Sequence, residues 1–245
     1  MRRKTGIIII GNEILSGRTI DTNSNFICKE LSVRGFDIIE IATIPDVAES
    51  IISKVKEFSS NFEYVFTSGG IGPTHDDITA KSIASAFNLE LEQNIEAKKM
   101  LEKHYSKSEL TDARLKMTYI PKGSRLIKNP VSVAPGFIVK NVHVFPGVPT
   151  ILRAMFFEFV DRLFRKNILP EKNISTILPE GTIGGFISNI QKENSMVQIG
   201  SYPYFKNNQF GVSLIIKCKD EIYLNKICEK IFNFLIENNG KPRFL

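Results

Sequence analysis

The feature that most constrains the fold is a run of four isoleucines near the start of the chain, Gly6-Ile7-Ile8-Ile9-Ile10-Gly11. An unbroken β-branched run without polar alternation predicts a central parallel strand that is buried on both faces. Two more strands are predicted at Phe36 to Ile44 and Tyr64 to Ser68, and a helical pattern with one apolar face starts between them at Pro45-Asp46. This alternation predicts a parallel sheet with right-handed crossovers and helices on both sides.

A glycine-rich turn after the third predicted strand is the first candidate for a functional site. It reads Thr67-Ser68-Gly69-Gly70-Ile71-Gly72-Pro73-Thr74-His75-Asp76-Asp77-Ile78-Thr79. Its glycines let the backbone turn sharply and approach a ligand, and Thr74, Asp76 and Asp77 open a helical pattern that we predict from Asp77 to Phe87. N–H groups at a helix start attract an anion, whereas two adjacent carboxylates repel one unless a divalent cation lies between them. The turn therefore indicates a metal-bound phosphate or pyrophosphate.

The same turn also admits a purely structural interpretation. Asp76 and Asp77 suit a helix N-cap and a first-turn acid, and the glycines suit an ordinary loop between a strand and a helix. Short glycine-rich motifs alone do not separate the two interpretations.

A polar loop follows the isoleucine strand and leads to a helix. Open α/β sheets bind ligands at the carboxyl ends of their strands, so Glu13, Arg18, Asp21 and Asn23 are further candidates for the site. Turn and cap chemistry is the alternative, and it suits Thr22 and Asn23 better than Glu13, which comes soon after the strand.

The rest of the chain predicts the end of this domain and a second, smaller one. A loop rich in Pro and Gly runs from Asn129 to Phe137, and a hairpin-like pair of strands and a helix with a strong apolar stripe follow. Residues 167–172 resemble a linker, and strand, helix, two strands and helix come after them. This order predicts a small α+β layer with its helices over one face of an antiparallel sheet. We therefore predict domains at 1–168 and 169–245.

Composition limits the classes of function. None of the 245 residues belongs to an apolar run near the ~18 residues of a membrane span, and the start enters a strand instead of a signal peptide, so we expect a cytoplasmic protein with no membrane partner. Cys28, Cys218 and Cys228 lack CxxC spacing and are expected to be buried free thiols. The net charge of +6 comes mostly from scattered lysines without a recognisable reader motif, so no nucleic-acid partner is expected.

The motifs together resemble the amino-terminal domain of the competence/damage-inducible protein A family. That family is similar to the first domain of eukaryotic FAD synthases and, more distantly, to the MoaB/MogA proteins of molybdenum cofactor synthesis. The resemblance implies a molybdopterin-binding-like three-layer α/β/α domain with a mostly parallel sheet, a small α+β carboxy-terminal subdomain, and self-association as a dimer or trimer. Five ordered segments support it: Gly11 to Arg18 with Asp21 to Asn23, Thr67 to Asp77, Asn129-Pro130 with Ala134 to Phe137, Pro146 to Pro149, and Gly200 to Pro203.

Many members of that family have a further carboxy-terminal domain similar to nicotinamide mononucleotide deamidase. The sequence ends at Leu245 without residues for it. Deamidation is therefore not expected.

We predict metal-dependent hydrolysis of the pyrophosphate in a small nucleotide metabolite such as ADP-ribose or FAD, with Mg²⁺, Mn²⁺ or Co²⁺. Asp76 and Asp77 would bind the cation, and Glu13 or Asp21 would add a ligand or position the attacking water. Glycine amides would hold the phosphate and Arg18 or Lys116 would clamp it. The predicted substrate-binding residues, of which the last three follow from the resemblance, are Gly69, Gly70, Gly72, Pro73, Thr74, Arg18, Asp21, Asn23, Lys116, Asn129, Pro135 and Gly136. The alternative is a binding module that holds a pterin or nucleotide through the same loops without turning it over.

Overall fold

A computed structural model of the chain describes residues 3–163, 169–206 and 208–245. The chain divides into two compact units, Met1–Asn167 and Ile168–Leu245. Each unit has a hydrophobic core of its own. The start of the predicted linker, at residues 167 and 168, lies outside the described residues.

The first unit alternates strands and helices. Its four parallel strands lie within residues 3–68 and 142–145, and the segment between them contains three helices and four further strands. Its elements are β1 (Arg3–Ile10), α1 (Asn12–Leu15), α2 (Asn23–Ser32), β2 (Phe36–Ile44), α3 (Ala48–Asn61), β3 (Tyr64–Ser68), α4 (Thr79–Ala86), β4 (Leu91–Gln93), α5 (Ile95–His104), α6 (Asp112–Lys116), β5 (Tyr119–Pro121), β6 (Arg125–Ile127), β7 (Gly136–Val139), β8 (Val142–Phe145) and α7 (Pro149–Leu163).

Six of these strands form one sheet in the order β2-β1-β3-β8-β7-β6. The first four are parallel, whereas β7 is antiparallel to both β8 and β6. Strands β4 and β5 pair separately as a two-stranded antiparallel sheet. The predicted mostly parallel sheet is confirmed.

The isoleucine run explains why the sheet lies between two helix layers. Ile8 and Ile10 pack into the same cluster as Phe58 of α3, and Ile7 and Ile9 pack into the opposite cluster with Ile27 of α2. All four isoleucines of β1 are at most 3% exposed. Because successive side chains of a strand point to opposite faces, only a strand covered on both sides tolerates this run. The predicted three-layer α/β/α fold is confirmed.

The parallel strands bring four loops to one edge of the sheet. The loops follow the carboxyl ends of β1, β2, β3 and β8, where ligands bind in open α/β sheets. Backbone hydrogen bonds join neighbouring loops, from the Gly11 N–H to the Ile44 oxygen and from the Gly69 N–H to the Phe145 oxygen, both at 3.1 Å. The two segments that we predicted to bind a ligand follow β1 and β3, and they start side by side because these two strands pair in parallel.

Helix α4 begins at Thr79, so the prediction of a helix start at Asp77 is wrong by two residues. The Gly70 carbonyl oxygen accepts the Thr79 N–H at 3.0 Å, and this bond sets the helix start. Asp76 and Asp77 lie in the preceding turn. Their carboxylates bond within that turn instead of capping the helix.

The second unit consists of four strands and two helices: β9 (Glu171–Thr176), α8 (Glu180–Glu193), β10 (Gln198–Lys206), β11 (Gln209–Lys217), α9 (Glu221–Glu237) and β12 (Arg243–Phe244). The strands form an antiparallel sheet in the order β10-β11-β9-β12. Helices α8 and α9 cover one face, where Ile183 and Ile231 pack with Leu214 and Ile216. The predicted small α+β layer is confirmed, although β12 was not predicted because its two residues contain no strand pattern.

The described helices and cysteines can be compared with two expectations from the sequence, which concern membrane spans and buried thiols. None of these helices combines the length and apolar character needed to cross a membrane. Cys218 and Cys228 are buried free thiols, whereas Cys28 is only half-buried.

Candidate functional site

Two glycines give the turn after β3 its shape. Gly69 has a φ of +115°, and a Cβ there would lie 2.0 Å from the Ile10 carbonyl oxygen. Gly70 has a φ of +68°, and its Cβ would lie 2.1 Å from Thr79 Oγ1. Any other residue would be strained at either position, because the φ angle is positive and the Cβ would collide with a neighbouring oxygen atom. The two glycines thus let β1, β3 and α4 meet closely.

The glycine-rich turn, residues 69–78, presents unengaged backbone donors. The N–H groups of Gly70, Ile71 and Gly72 donate to none of the described residues. All three residues line a cavity of about 280 Å³, to which Ala80 and Lys81 of the first turn of α4 also contribute. Free N–H groups next to a helix N-terminus favour negative charge. This side of the cavity is therefore suited to an anion such as phosphate.

Thr74, Asp76 and Asp77 form a cluster of oxygen atoms in the turn. Thr74 Oγ1 lies 2.5 Å from Asp76 Oδ1 and 2.5 Å from Asp77 Oδ2. The Thr74 N–H also donates to Asp77 Oδ2, at 2.8 Å. A hydroxyl has one proton, so it donates to only one of the two carboxylates at a time. At any moment, therefore, only one of the two contacts of the Thr74 hydroxyl is a hydrogen bond, whereas Asp77 Oδ2 also accepts the Thr74 N–H.

Asp76 is ionised at neutral pH. The hydrogen bond from the Thr74 hydroxyl lowers the pKa of the Asp76 carboxyl, and the nearby His75 and Lys116 side chains lower it further. A carboxylate that receives hydrogen bonds and faces positive charge holds its charge to lower pH.

A further carboxylate, Asp46, lies beside the turn in the loop after β2. Its Oδ2 accepts the Asn12 N–H at 2.8 Å, and its Oδ1 lies 3.7 Å from the Cβ position of Gly70. Burial raises the pKa of Asp46, and the negative charges of Glu13, Asp76 and Asp77 raise it further, whereas the bond from Asn12 lowers it. Four carboxylates thus repel one another at this edge of the sheet.

The fit of this edge to a metal ion depends on how the ion is bound. No three His, Cys, Asp or Glu side chains among the described residues are arranged to hold a metal ion. Mg²⁺, however, usually binds through one or two carboxylates together with substrate phosphates and water. Asp76 and Asp77 supply two carboxylates, each with one oxygen 2.5 Å from the same Thr74 hydroxyl. They fit a cation that binds together with a phosphate, and they do not fit a preformed protein-only metal centre.

The rest of the cavity lining is apolar apart from two lysines. Lys116 of α6 reaches the turn, where its ammonium group donates to the Thr74 carbonyl oxygen. Lys81 of α4 lines the cavity as well. The apolar lining beyond the turn comes from Leu91, Met117, Tyr119, Ile120, Pro135 and Phe137.

The structure brings several predicted residues together. Gly70, Gly72, Asp77, Lys116 and Pro135 line the cavity. The other predicted residues of the turn are adjacent in sequence to these lining residues or to others of the same turn, and they are Gly69, Pro73, Thr74 and Asp76.

Glu13 reaches the same edge of the sheet from α1. Its carboxylate folds back over Gly11, where a Cβ would lie 2.7 Å from Glu13 Oε1. Arg18 lies in the following bend, is exposed, and forms no ion pair within the described part of the chain.

Asp21 and Asn23 have structural partners instead of a place in the cavity lining. Asp21 Oδ1 accepts the N–H groups of Asn23 and Ser24, both at 3.0 Å, so Asp21 caps α2. The Asn23 amide is buried and donates to Ser68 Oγ at 3.0 Å and to the Gly147 oxygen at 2.7 Å. It therefore ties α2 to the loops that follow β3 and β8.

Two residues that we predicted in the opposite wall of the site determine how the backbone is arranged there. Asn129 accepts the N–H groups of Val131 and Ser132 at 3.0 Å, and it donates to the Ala134 oxygen at 2.8 Å. It thereby organises the loop that presents Pro135 to the cavity. A Cβ on Gly136 would lie 2.3 Å from the Val144 oxygen, so this glycine allows β7 to pack closely on β8.

The sequence interpretation missed Asp46, Lys81 and most of the apolar wall. Asp46 has a signal, because it follows the carboxyl end of a predicted parallel strand just as Glu13 does. Lys81 lies on a helix surface, where a lysine is usually only solvated. The wall on β4 and β5 has no usable signal, since each of these strands has three residues.

Two protein families match the chain. Residues 6–166 match the family described as probable molybdopterin binding domain. Residues 169–239 match the middle domain of FAD synthase.

Individual relatives agree with these matches. A protein of Archaeoglobus fulgidus is 39% identical over 80% of this chain and 84% of its own length. The probable FAD synthase of Caenorhabditis elegans is 34% identical over 88% of this chain, which spans only 47% of that enzyme. The crystal structure of the protein CinA, of unknown function, from Thermoplasma acidophilum is 33% identical with a TM-score of 0.61, and the match covers 66% of this chain and 97% of that one.

Proposed function

Because the chain belongs to the probable molybdopterin-binding domain family, we propose that its first unit binds a small nucleotide metabolite and hydrolyses the pyrophosphate within it. The predicted resemblance to the CinA amino-terminal domain and to FAD synthase is confirmed. The main support for the proposal is that free backbone N–H groups and two adjacent carboxylates occur in one turn beside a cavity.

The turn binds the pyrophosphate through its backbone. The N–H groups of Gly70, Ile71 and Gly72 donate to phosphate oxygens, and the α4 N-terminus favours their negative charge. Lys116, which contacts Thr74 in the same turn, adds a positive charge. The glycines are needed because a Cβ at Gly70 would already collide with Thr79.

A divalent cation offsets the repulsion between these phosphates and the nearby acids. Asp76 and Asp77 would hold it, since Thr74 keeps one oxygen of each carboxylate at 2.5 Å from its own hydroxyl. When bound, the ion neutralises charge that develops on the phosphate oxygens and lowers the pKa of water.

In hydrolysis the attacking water loses a proton, and a nearby carboxylate is one group that can receive it. Glu13 is suited to this role because it is exposed on α1 at the same edge of the sheet, next to Gly11. The water oxygen bonds to one phosphorus, the bridging P–O bond breaks, and two phosphate monoesters result. FAD would yield FMN and AMP, and ADP-ribose would yield AMP and ribose 5-phosphate.

A binding module without turnover is the second candidate, and one observation favours it. Asp77 accepts both the N–H and the hydroxyl of Thr74, so its carboxylate already has a structural task. A protein of this kind would hold a pterin or nucleotide through the same turn and release it unchanged.

A turnover assay separates the two candidates. The purified full chain is incubated with FAD or ADP-ribose and Mg²⁺, Mn²⁺ or Co²⁺, and the monoester products are quantified by chromatography. We expect turnover in the wild type, and a loss of about 100-fold or more in Asp76→Asn and in Asp77→Asn, which keep an acceptor for Thr74. Glu40→Gln, an exposed acid of β2, is the matched control and should leave turnover unchanged.

The other outcomes are equally informative. Tight binding of FAD or ADP-ribose without turnover, whichever of the three metals is present, would show that the protein is a binding module. Turnover that survives both aspartate changes would remove Asp76 and Asp77 from the chemistry.

A further inference from the structure

The acids at the ligand edge of the first unit have no directly paired base. Glu13, Asp46, Asp76 and Asp77 form no ion pair with a lysine, arginine or histidine in the described ranges. Burial raises the pKa of Asp46, and the charges of the other three acids raise it further. Since the four charges act on one another, a positive charge held close to them is favourable.

Lys116 of α6 brings a positive charge to this edge through the backbone of the turn. Its ammonium group donates to the Thr74 carbonyl oxygen. The other polar groups of Thr74 contact the acids: its N–H donates to Asp77 Oδ2 at 2.8 Å, and its hydroxyl lies 2.5 Å from Asp76 Oδ1 and from Asp77 Oδ2. Thr74 thus lies between the ammonium group and both carboxylates. The Thr74 hydroxyl is the main cause of the lowered pKa of Asp76, and the charge of Lys116 contributes to it.

Contacts of α6 hold Lys116 at this place. The residue is half-buried in α6, which Thr111 caps by accepting the Arg114 N–H at 3.3 Å. The Arg114 guanidinium lies 4.1 Å from the centre of the Tyr105 ring, and this contact attaches α6 to the end of α5. The ammonium group is therefore positioned by the fold itself, before any ligand arrives.

A fixed ammonium group repels a divalent cation at the two aspartates, with twice the energy of a monovalent ion at the same distance. Lys116 nevertheless leaves both carboxylates accessible, because its ammonium group bonds to the Thr74 carbonyl oxygen and forms no ion pair with either acid. A cation that binds together with a pyrophosphate meets a different balance. The phosphate oxygens offset its charge and also accept hydrogen bonds from the ammonium group.

We propose that Lys116 is a built-in counter-ion of Asp76 and Asp77, which disfavours a free divalent cation and favours the complex of that cation with a pyrophosphate. The proposal rests on the proposed function, because it concerns how the cation and the pyrophosphate of that site enter it. When the complex binds, the ammonium group exchanges the Thr74 oxygen for a phosphate oxygen. Lys116 is then a specificity-determining residue that selects the metal–nucleotide complex as the substrate.

Binding of Mn²⁺ without nucleotide tests the counter-ion directly. The full chain is titrated at low ionic strength, and bound Mn²⁺ is followed by electron paramagnetic resonance. Lys116→Met keeps the aliphatic stem and removes the charge, so it should bind Mn²⁺ about fivefold more tightly than the wild type, the equivalent of about 1 kcal/mol. Lys116→Arg keeps the charge and should bind like the wild type. Asp77→Asn should lose the signal, which identifies the ion as the one in the turn.

The same variants should respond to an anion in the opposite direction. Inorganic pyrophosphate is titrated without metal by calorimetry, and Lys116→Met should bind it about tenfold more weakly, the loss of about one charged hydrogen bond. A side chain that only supports α6 would weaken both ligands when it is changed, and one that only clamps phosphate would leave Mn²⁺ binding unchanged. Lys99→Met, on the exposed surface of α5, is the matched control and should bind both ligands like the wild type.

Three results would overturn the proposal. They are equal or weaker Mn²⁺ binding in Lys116→Met, no detectable Mn²⁺ binding in any of these proteins, or an equal gain in Lys99→Met. Neither assay needs turnover, so a chain that shows the opposite responses but hydrolyses neither FAD nor ADP-ribose would refute the hydrolase and keep the counter-ion. Turnover together with unchanged Mn²⁺ binding in Lys116→Met would do the reverse.

Discussion

His143 shows how burial sets the charge of a single residue. It lies in β8, is 6% exposed, and stacks on Phe66 with ring centroids 4.8 Å apart. Burial lowers the pKa of His143 to about 4, although its contact with the Val65 carbonyl oxygen opposes this change. His143 is therefore neutral at pH 7 and belongs to the core.

Acid should destabilise the fold through His143. The unfolded pKa of His143 is about 6.5, so the stability contributed by its neutral form is fully present above that pH and is lost as the pH falls to about 4, by at most about 3.4 kcal/mol. Urea unfolding at pH 7, 5.5 and 4 should show a smaller loss of stability in His143→Phe than in the wild type. Identical losses in the two proteins would contradict this assignment.

The ionised Asp46 carboxylate should lower the stability of the fold and contribute to hydrolysis. Its pKa is raised, mainly by burial, so its ionised form weakens the fold at pH 7. Asp46→Asn keeps an acceptor for the Asn12 N–H and should stabilise the protein at pH 7 by less than about 1 kcal/mol, since the group is partly exposed and screened. The gain should vanish below an unfolded pKa of about 3.9, because the aspartate is then neutral as well.

The same change should slow hydrolysis, because it removes one of the four carboxylates at the ligand edge. Thermal unfolding and the turnover assay are therefore run on the same preparation. A variant that is less stable at pH 7 would show that the Asp46 charge is needed for the fold.

Sequence identifies individual residues well when their role is a backbone role. Gly69 and Gly70 were predicted from the turn, and both have the positive φ angles and close contacts that only glycine allows. Side chains are harder to assign. Asp21 and Asn23 have the composition of a binding loop, but whether such a residue faces a ligand, a helix N-terminus or another loop depends on contacts distant in the chain.

At the scale of elements, the junction between β1, β3 and α4 depends on Gly69. Gly69→Ala should cost more than about 3 kcal/mol, since its Cβ would meet the Ile10 carbonyl oxygen at 2.0 Å. Gly17→Ala is the matched control. Gly17 also has a positive φ, +71°, but no atom lies within 4 Å of its Cβ position, so the cost should be about 1 kcal/mol. Equal costs in urea unfolding would show that the junction adapts.

Strands were predicted more accurately than the helix after the turn. The predicted bounds of β2 and β3 match the structure because glycine or proline flanks the strands, with Gly35 before β2, Pro45 after β2 and Gly69 after β3. The start of α4 was misplaced because an aspartate suits a helix N-cap and a turn equally well. The hydrogen bond from the Thr79 N–H to the Gly70 carbonyl oxygen distinguishes the two possibilities, and this bond depends on the shape of the whole turn.

At the scale of the molecule, the two units contain separate cores. Leu214 is fully buried in the core of the second unit, whereas the residues lining the cavity all belong to the first. Calorimetry should show two unfolding transitions, and Leu214→Ala should destabilise one of them by about 2–5 kcal/mol. ADP-ribose with Mg²⁺ should raise the midpoint temperature of the other transition, which belongs to the first unit. One shared transition, lowered as a whole by Leu214→Ala, would contradict this division.

The proposed function requires that a pyrophosphate binds to the amides of residues 70–72 while Asp76 and Asp77 hold its cation. The most direct test is a crystal structure with Mn²⁺ and the non-hydrolysable α,β-methylene analogue of ADP-ribose, with manganese located by anomalous scattering. We predict manganese bound directly by an oxygen of each aspartate, and phosphate oxygens at about 2.9 Å from the three amide nitrogens. An ordered ligand elsewhere, with both aspartates still bonded only to Thr74, would contradict it.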